Sequence, residues 1–372
     1  MSTVKRTRIC MILAALTVFS GCYDIEDIDQ RMIISLIGID ALPGDMLRLG
    51  IRMPLIKTRE LSGFLLDMTK KDYILRTADA RRLSPAYLDM QSREEHALFM
   101  GQCRSVILGE AFARRGILPA MDFLNRQARF PPSAQIMIAA PSAEAVLNIQ
   151  WLEVEFHDQN IRSFVSNIQN PIISFKKWML FRNIEDPLAD PILPVIRPSD
   201  DNHTIKFIGT GVFNRDRMVG MLDVQESVLL GILLNNKKTP QVSIPFHHNI
   251  PSSFTLMRGK TEITACFKKN RILFAIRIRL RGFLNELGGL RHHLSPEKIE
   301  MMENKSASYL RRRFILLLRR LQSMGSDPLE LGYYYRIRRG DKFSIPDWRR
   351  RYPEADFKVN VDFVIDRLGA LR

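Results

Sequence analysis

Ala97-Leu98-Phe99-Met100-Gly101-Gln102-Cys103-Arg104-Ser105-Val106-Ile107-Leu108-Gly109-Glu110 is the stretch from which the fold class follows. Its apolar β-formers run into Gly109, and the composition then changes to Glu110-Ala111-Phe112-Ala113-Arg114-Arg115, a short helix stopped by Gly116. Ile117 to Arg126 reads as a second helix opened near Pro119, and Gln135 to Ala140 as a further strand. Ser142 to Leu147 is a helix whose N-cap Ser follows Pro141. Strand and helix alternate, which describes an α+β or α/β lobe.

Outward from this stretch, Met32 to Asp40 is a short apolar strand and Met46 to Leu55 another, with Gly44-Asp45 as the hairpin turn between them. Residues 60 to 95 are expected to be mostly helical, the pattern through Thr77-Ala78-Asp79-Ala80-Arg81-Arg82-Leu83 ending at Pro85. Trp151 to Asp201 has a weaker pattern, with Asn170-Pro171, Asp186-Pro187, Asp190-Pro191, Leu193-Pro194 and Arg197-Pro198. Pro-Ser-Asp-Asp-Asn at 198 to 202 marks the domain boundary. The division expected is 1–21 signal peptide, 22–200 N-terminal domain and 201–372 C-terminal domain.

The second half opens with a glycine-interrupted strand, Ile205 to Phe213, a turn at Asn214 to Arg217 and a strand from Met218 to Leu222. A helix follows from about Asp223, with Glu226, Leu229, Leu230 and Leu233 on one stripe. Ile272, Phe274, Ile276, Ile278 and Leu280 alternate with Arg271, Arg277, Arg279 and Arg281, a half-buried strand with an arginine-rich outer side. Ser295 caps the clearest helix, with Pro296 at its first position and Gly325 at its end. Ile299, Met302, Ser306, Leu310, Phe314, Leu317 and Leu321 form its apolar stripe. Arg311, Arg312, Arg313, Arg319 and Arg320 give its other side a basic face, expected to meet a membrane or a partner. Val359, Val361, Phe363 and Ile365 alternate with polar residues in a last strand.

At the N-terminus, Lys5, Arg6 and Arg8 precede an apolar run from Ile9 to Phe19 and the small residues Ser20-Gly21, the layout of an export signal. That run is too short to span a bilayer, and no later stretch approaches eighteen apolar residues without a charge. Cys22 directly after Ser-Gly can accept a diacylglycerol and become the mature N-terminus; the pattern resembles a lipoprotein lipobox, with Phe19 where Leu is usual. Two acyl chains give a stable anchor, at roughly 0.8 kcal/mol per buried methylene. Asp24, Glu26, Asp27 and Asp29 form an acidic tether after it.

The 372 residues, 46% hydrophobic and 26% charged, are ordinary globular composition with room for two cores. Net charge is +15, of which the three cations of the signal leave on cleavage, so the mature body carries +12. Between Leu310 and Tyr352 twelve Lys/Arg stand against four acids, which favours an anionic partner. For an exported, tethered body that partner is the headgroup layer, at about 1 kcal/mol per well-placed basic residue; export disfavours nucleic acid. Cys103 and Cys266 remain after Cys10 and Cys22 are assigned, and their apolar contexts predict free, buried thiols.

No phosphate loop, dinucleotide fingerprint, His-Glu-x-x-His or Cys-x-x-Cys pair occurs. Gly209-Thr210-Gly211 is followed by a strand rather than a helix and does not make a nucleotide site. His247-His248 and His292-His293 lack a carboxylate or cysteine at ligand spacing, so no metal is expected. Glu226 is expected to cap a backbone or pair with an arginine rather than to act as an acid. Neither catalytic residue nor cofactor is assigned, and an enzyme is not expected.

Gly21-Cys22-Tyr23-Asp24-Ile25-Glu26, Ile37-Gly38-Ile39-Asp40, Val106-Ile107-Leu108-Gly109-Glu110, Ala113-Arg114-Arg115-Gly116-Ile117, Gly211-Val212-Phe213, Val219-Gly220, Leu222 and Glu226-Ser227 follow one another in order. With the helix from Ser295 and the Trp348/Tyr352 region, they resemble the Ger(x)C family, the C-subunit lipoproteins of spore germinant receptors. Tyr23 stands where that family usually has Trp, and Gly101-Gln102-Cys103 where relatives tend to carry His. The resemblance implies an α+β fold of mixed helix and sheet lobes, an N-terminal and a C-terminal domain of which one subdivides to give three sub-lobes. It implies a non-enzymatic lipoprotein on the outer face of the inner spore membrane, working with membrane-embedded A and B subunits to couple germinant sensing to germination. Glu226 and Phe213 then read as core positions. The competing reading is an extracytoplasmic solute-binding lipoprotein of a transporter, which predicts two similar lobes around a cleft.

Overall fold

The computed structural model describes residues 31–54, 73–151, 157–167, 172–173, 177–247, 250–268, 271–287 and 295–367. The stretch from Ala97 folds as two strands, β5 (Ala97–Phe99) and β6 (Ser105–Gly109). They are divided by a turn in which Cys103 N donates to Met100 O at 2.9 Å. β1 (Arg31–Ile33) pairs in parallel with β5.

β6 lies at the centre of an eight-stranded sheet. β2 (Leu36–Ala41), β6, β7 (Gln135–Ala139) and β8 (Ile192–Pro198) run parallel as neighbours. β3 (Leu47–Pro54) and β4 (Tyr73–Ala80) continue it antiparallel beyond β2, and β9 (Ile205–Asn214) and β10 (Arg217–Leu222) beyond β8. The parallel strands are apolar on both faces because each face is covered. Val106, Leu108, Ile136 and Ile138 share one core with Phe112 of α2 (Glu110–Arg115) and Leu124 of α3 (Leu118–Arg126). Ile107, Met137 and Ala139 point the other way, to Val146 and Leu147 of α4 (Ala143–Leu147) and Ile161 of α5 (His157–Ser166).

The helical expectation for 60 to 95 is corrected within the described part: Tyr73–Ala80 is strand β4, and α1 spans Leu83–Gln91. Pro85 sits in the first turn of α1, where backbone N–H groups have no helical acceptor, so it opens the helix rather than closing it. Residues 55–72 lie outside the described residues. The stretch at 198 to 202 is the turn of the β8–β9 hairpin, with Ser199 N bonded to Thr204 O at 2.9 Å and Asn202 at φ +56°. The sheet therefore runs through it as far as Leu222. The weak region before it supplies α5, α6 (Lys177–Glu185) and β8.

α7 (Val224–Leu233) leads to a four-stranded sheet ordered β11 (Gln241–His247), β12 (Ile250–Lys268), β13 (Arg271–Glu286) and β14 (Asp356–Arg367). β12 and β13 form a long antiparallel hairpin, and β14 joins β13 in parallel. Between β13 and β14 the chain makes α8 (Pro296–Ser323), α9 (Leu331–Arg339) and α10 (Ile345–Arg351). Met302, Leu310, Phe314, Leu317 and Leu321 of α8 are buried, as their spacing predicts. Ile272 to Leu280 alternate buried with the outward arginines of β13. Trp348 lies fully buried between Tyr335, stacked at 5.4 Å, and Phe274, edge-on at 6.1 Å. The fold class is α+β, as the pattern predicts. Cys103 and Cys266 are both free; Cys103 is buried, but Cys266 is only half-buried, because it lies on a β12 position turned partly outward.

Candidate functional site

Two groups of charged residues stand out in the structure: the joint where the two sheets meet, and the basic face of α8. The joint is built on Asp190, Asp327 and Arg349. Asp190 follows α6 in Leu188-Ala189-Asp190-Pro191, and Asp327 follows α8 in Ser326-Asp327-Pro328. Their carboxylates lie among apolar residues, 1% exposed in each case. Asp190 accepts from the backbone N of Arg215 at 2.9 Å and of Asp327 at 2.8 Å. Both terminal nitrogens of Arg349 donate to it, at 2.9 and 3.1 Å, in the bidentate arrangement that suits a guanidinium. Arg349 also donates to Pro187 O at 3.0 Å.

Asp327 does a different task with its own carboxylate. Leu331 N and Gly332 N donate to it at 2.9 Å each, so it closes the N-terminus of α9, whose flanking Glu330 offers no side-chain cap. Nearby, Ser326 Oγ donates to Phe213 O at 2.5 Å and Tyr352 donates its phenol proton to Ser326 O at 2.7 Å. The last residues of β9 are thereby fastened to the α8–α9 turn.

Arg349 bonds Asp190, and Asp327 feels it only as a nearby charge. Burial pushes the Asp327 carboxyl up to about 7; the Leu331 and Gly332 N–H groups pull it down, the Asp190 charge adds to the rise, and Arg349 opposes it. Burial also pushes the Tyr352 phenol well above its ordinary range. The folded state holds the Asp327 proton more tightly than the unfolded chain, whose carboxyl titrates near 3.8. The stabilisation from that proton is therefore full below about pH 4 and is lost as pH rises through 7. Denaturant midpoints at pH 5, 6, 7 and 8 are expected to fall more steeply for the native chain than for Asp327→Asn; parallel curves would remove Asp327 as the titrating group.

The arginines of α8 divide into two sets. Arg311 and Arg312 are exposed and Arg313 is half-buried, and none makes an ion pair among the described residues. Arg319 instead donates to Gln322 Oε1, Ala355 O and Asp356 Oδ1 at 2.8 to 3.1 Å. Arg320 pairs with Glu226 and donates to Met221 O at 2.8 Å. Arg319 and Arg320, each nearly half exposed, thus fasten α8 to its neighbours, whereas Arg311 to Arg313 make no ion pair among the described residues.

Glu226 does both structural jobs the sequence suggests. It exchanges hydrogen bonds with Asp223 in a capping box at the start of α7, and it receives Arg320. It stands at a helix end rather than in the core, whereas Phe213 is fully buried. Cys22 and the acidic residues 24 to 29 lie outside the described residues, as do His248, His292, His293 and the side chain of His247. Among the described residues no three His, Cys, Asp or Glu side chains are grouped to hold a metal, and no helix is long and apolar enough to cross a membrane. Sequence reading did not single out Asp190, Asp327 or Arg349. The available signal was an Asp-Pro pair, which occurs at 186, 190 and 327 and so does not by itself pick out the two buried acids.

The family described as "Spore germination protein N-terminal domain" matches residues 24–198, and that described as "Spore germination B3/GerAC like, C-terminal" matches 208–369. The putative spore germination protein YfkR of Bacillus subtilis (strain 168) is 21% identical over 98% of this chain and 95% of its own length. Spore germination protein GerQC of Bacillus cereus is 20% identical, covering 73% of this chain and 76% of that protein. Spore germination protein B3 of Bacillus subtilis (strain 168) is 20% identical over 94% and 95% of the two chains. Among solved structures, the crystal structure of the GerBC protein superposes with a TM-score of 0.55 at 18% identity, covering 89% of this chain and 97% of that one.

Proposed function

Because the chain belongs to the Ger(x)C family of spore germination proteins, we propose that it is the lipoprotein C subunit of a nutrient germinant receptor. The observation that carries this reading is the match of both family halves, in order, along nearly the whole chain. Cys22 would hold the protein by a diacylglycerol on the outer face of the inner spore membrane, with residues 24 to 29 as the tether. The folded lobes would bind membrane-embedded A and B subunits and act without catalysis. Arg311, Arg312 and Arg313 would meet lipid headgroups or an acidic loop of a partner, since their charge is not used within the fold. Arg319 and Arg320 have internal partners and would keep α8 in place. A solute-binding lipoprotein finds less support, because one eight-stranded mixed sheet and one four-stranded sheet are not two similar lobes.

Membrane pull-down of the native chain, a Cys22→Ala chain and an Arg311/Arg312/Arg313→Glu chain tests the reading. Multi-span membrane subunits should co-purify with the native chain, be lost with Cys22→Ala, and be depleted severalfold with the triple variant. Recovery of transporter subunits with the native chain would overturn the receptor reading, and undiminished recovery with the triple variant would discard the role given to those arginines.

A further inference from the structure

A cavity of about 490 Å³ opens between the end of α7, the loop after it and the β12–β13 hairpin, within the size range of small-ligand sites. Its floor is apolar: Val228, Ile232, Leu256 and Leu280 are buried there. Its rim is cationic: Lys237, Lys238, Lys260, Arg279 and Arg281 line it, with no acidic residue among the described lining residues.

The walls are fixed by hydrogen bonds independent of any ligand. β11 pairs with β12 as far as Thr255 and Leu256 N still donates to Pro240 O at 3.0 Å; beyond that, this edge of β12 has no strand neighbour among the described residues. Asn235, at φ +54° after α7, clamps that edge: Thr261 N donates to its Oδ1 at 2.7 Å and its Nδ2 donates to Thr261 O at 3.1 Å. Thr261 Oγ1 donates in turn to Ile232 O at 2.9 Å. Lys238 Nζ is held by the carbonyls of Val165 and Asn167, at 2.7 Å each. A bulge in β12 between Leu256 and Arg258 leaves Met257 without a strand partner, 51% exposed at the mouth.

The cations are not equally engaged. Lys260 and Arg279 share Glu262 at 2.8 and 2.7 Å, and Arg281 lies 3.7 Å from Asp366. Lys237 is exposed and makes no ion pair among the described residues. One carboxylate divided between Lys260 and Arg279 leaves unneutralised positive charge beside an apolar floor.

We propose that this cavity is a binding site for a small amphipathic anion, whose apolar body lies on Val228, Ile232, Leu256 and Leu280 and whose carboxylate or phosphate meets Lys237, with Lys260 and Arg279 beside it. The site is separate from the arginines of α8 and does not depend on the receptor reading. Both parts of the ligand are required, because rim charge alone is solvated and screened, and the floor alone does not select for charge.

Titration calorimetry on the full chain carrying Cys22→Ala provides the test, with octyl phosphate, inorganic phosphate and octyl glucoside as probes. Octyl phosphate should bind, and the other two should bind at least tenfold more weakly. Lys237→Glu, on an exposed side chain, should weaken octyl phosphate at least tenfold, while Lys206→Glu, exposed on β9 outside the cavity, should leave it unchanged. Phosphatidylglycerol vesicles that compete with octyl phosphate would identify a lipid as the source of the anion; failure to compete would identify a soluble one. No binding of octyl phosphate, equal binding of inorganic phosphate, or equal loss in both lysine variants would overturn the site.

Discussion

Arg349→Met is expected to lower the unfolding free energy by about 3–5 kcal/mol, the cost of breaking a buried ion pair from one side. The substitution nearly preserves volume, so the loss is electrostatic. Asp190, with its side chain wholly inaccessible, would keep its contacts to Arg215 N and Asp327 N but lose both guanidinium bonds. Asp327 would lose the cation that opposes its own burial. Asp190→Asn combined with Arg349→Met should recover part of the loss, because the double variant buries no uncompensated charge at 190. Arg350→Met, whose side chain is 76% exposed beside Asp347, is the matched control and should stay within about 1 kcal/mol. Urea unfolding of the four chains decides it, and a loss below about 1 kcal/mol for Arg349→Met would show that the joint does not depend on this pair.

Gly209→Ala should cost about 3 kcal/mol, combining backbone strain with a steric clash. Gly209 has φ +153°, and a Cβ there would stand 2.0 Å from Leu222 O and 3.5 Å from Asp223 Cα. Neither neighbour is a side chain that can turn away. The register between β8 and β9 shifts at this point, Val195 facing Gly209 and Ile196 facing Phe207, which is the bulge the glycine permits. Movement of Leu222 and Asp223 would disturb the capping box of α7 and the Glu226–Arg320 pair that holds α8. Gly44→Ala is the contrast: φ is +67° in a hairpin turn with nothing within 4 Å of the added carbon, so its cost should be about 1 kcal/mol. Equal denaturant midpoints for the two variants would refute the steric account of Gly209.

Much of the fold was legible because it is written locally. The runs around Val106 and Ile136, the caps Ser142 and Ser295, and the stripe from Met302 to Leu321 all follow from period and capping chemistry. Tyr73–Ala80 was not legible: its residues suit a helix, and pairing with β3 overrides that preference. The turn at 198 to 202 lies between the two family matches, which end at 198 and begin at 208, and it also joins two strands of one sheet. A tight polar turn has the same composition in either setting, so the β8–β9 pairing could be seen only in the structure.

For function, the sequence by itself determined the order of family blocks, the candidate acyl acceptor at Cys22, the surplus of arginine in the last third and the want of any catalytic motif. These are properties of residues and their spacing, which need no fold to be read. The tertiary structure alone decided which charges are spent and which are free. Arg311 to Arg313 and Arg319 to Arg320 look alike along the chain, but Asp356 and Glu226, distant in sequence, occupy the second set. It also decided that Asp190, Asp327 and Arg349 meet, and that Lys237 lines the same cavity as Leu256 and Leu280. The physical reason is that burial and charge pairing depend on distance in space, and chain folding sets those distances.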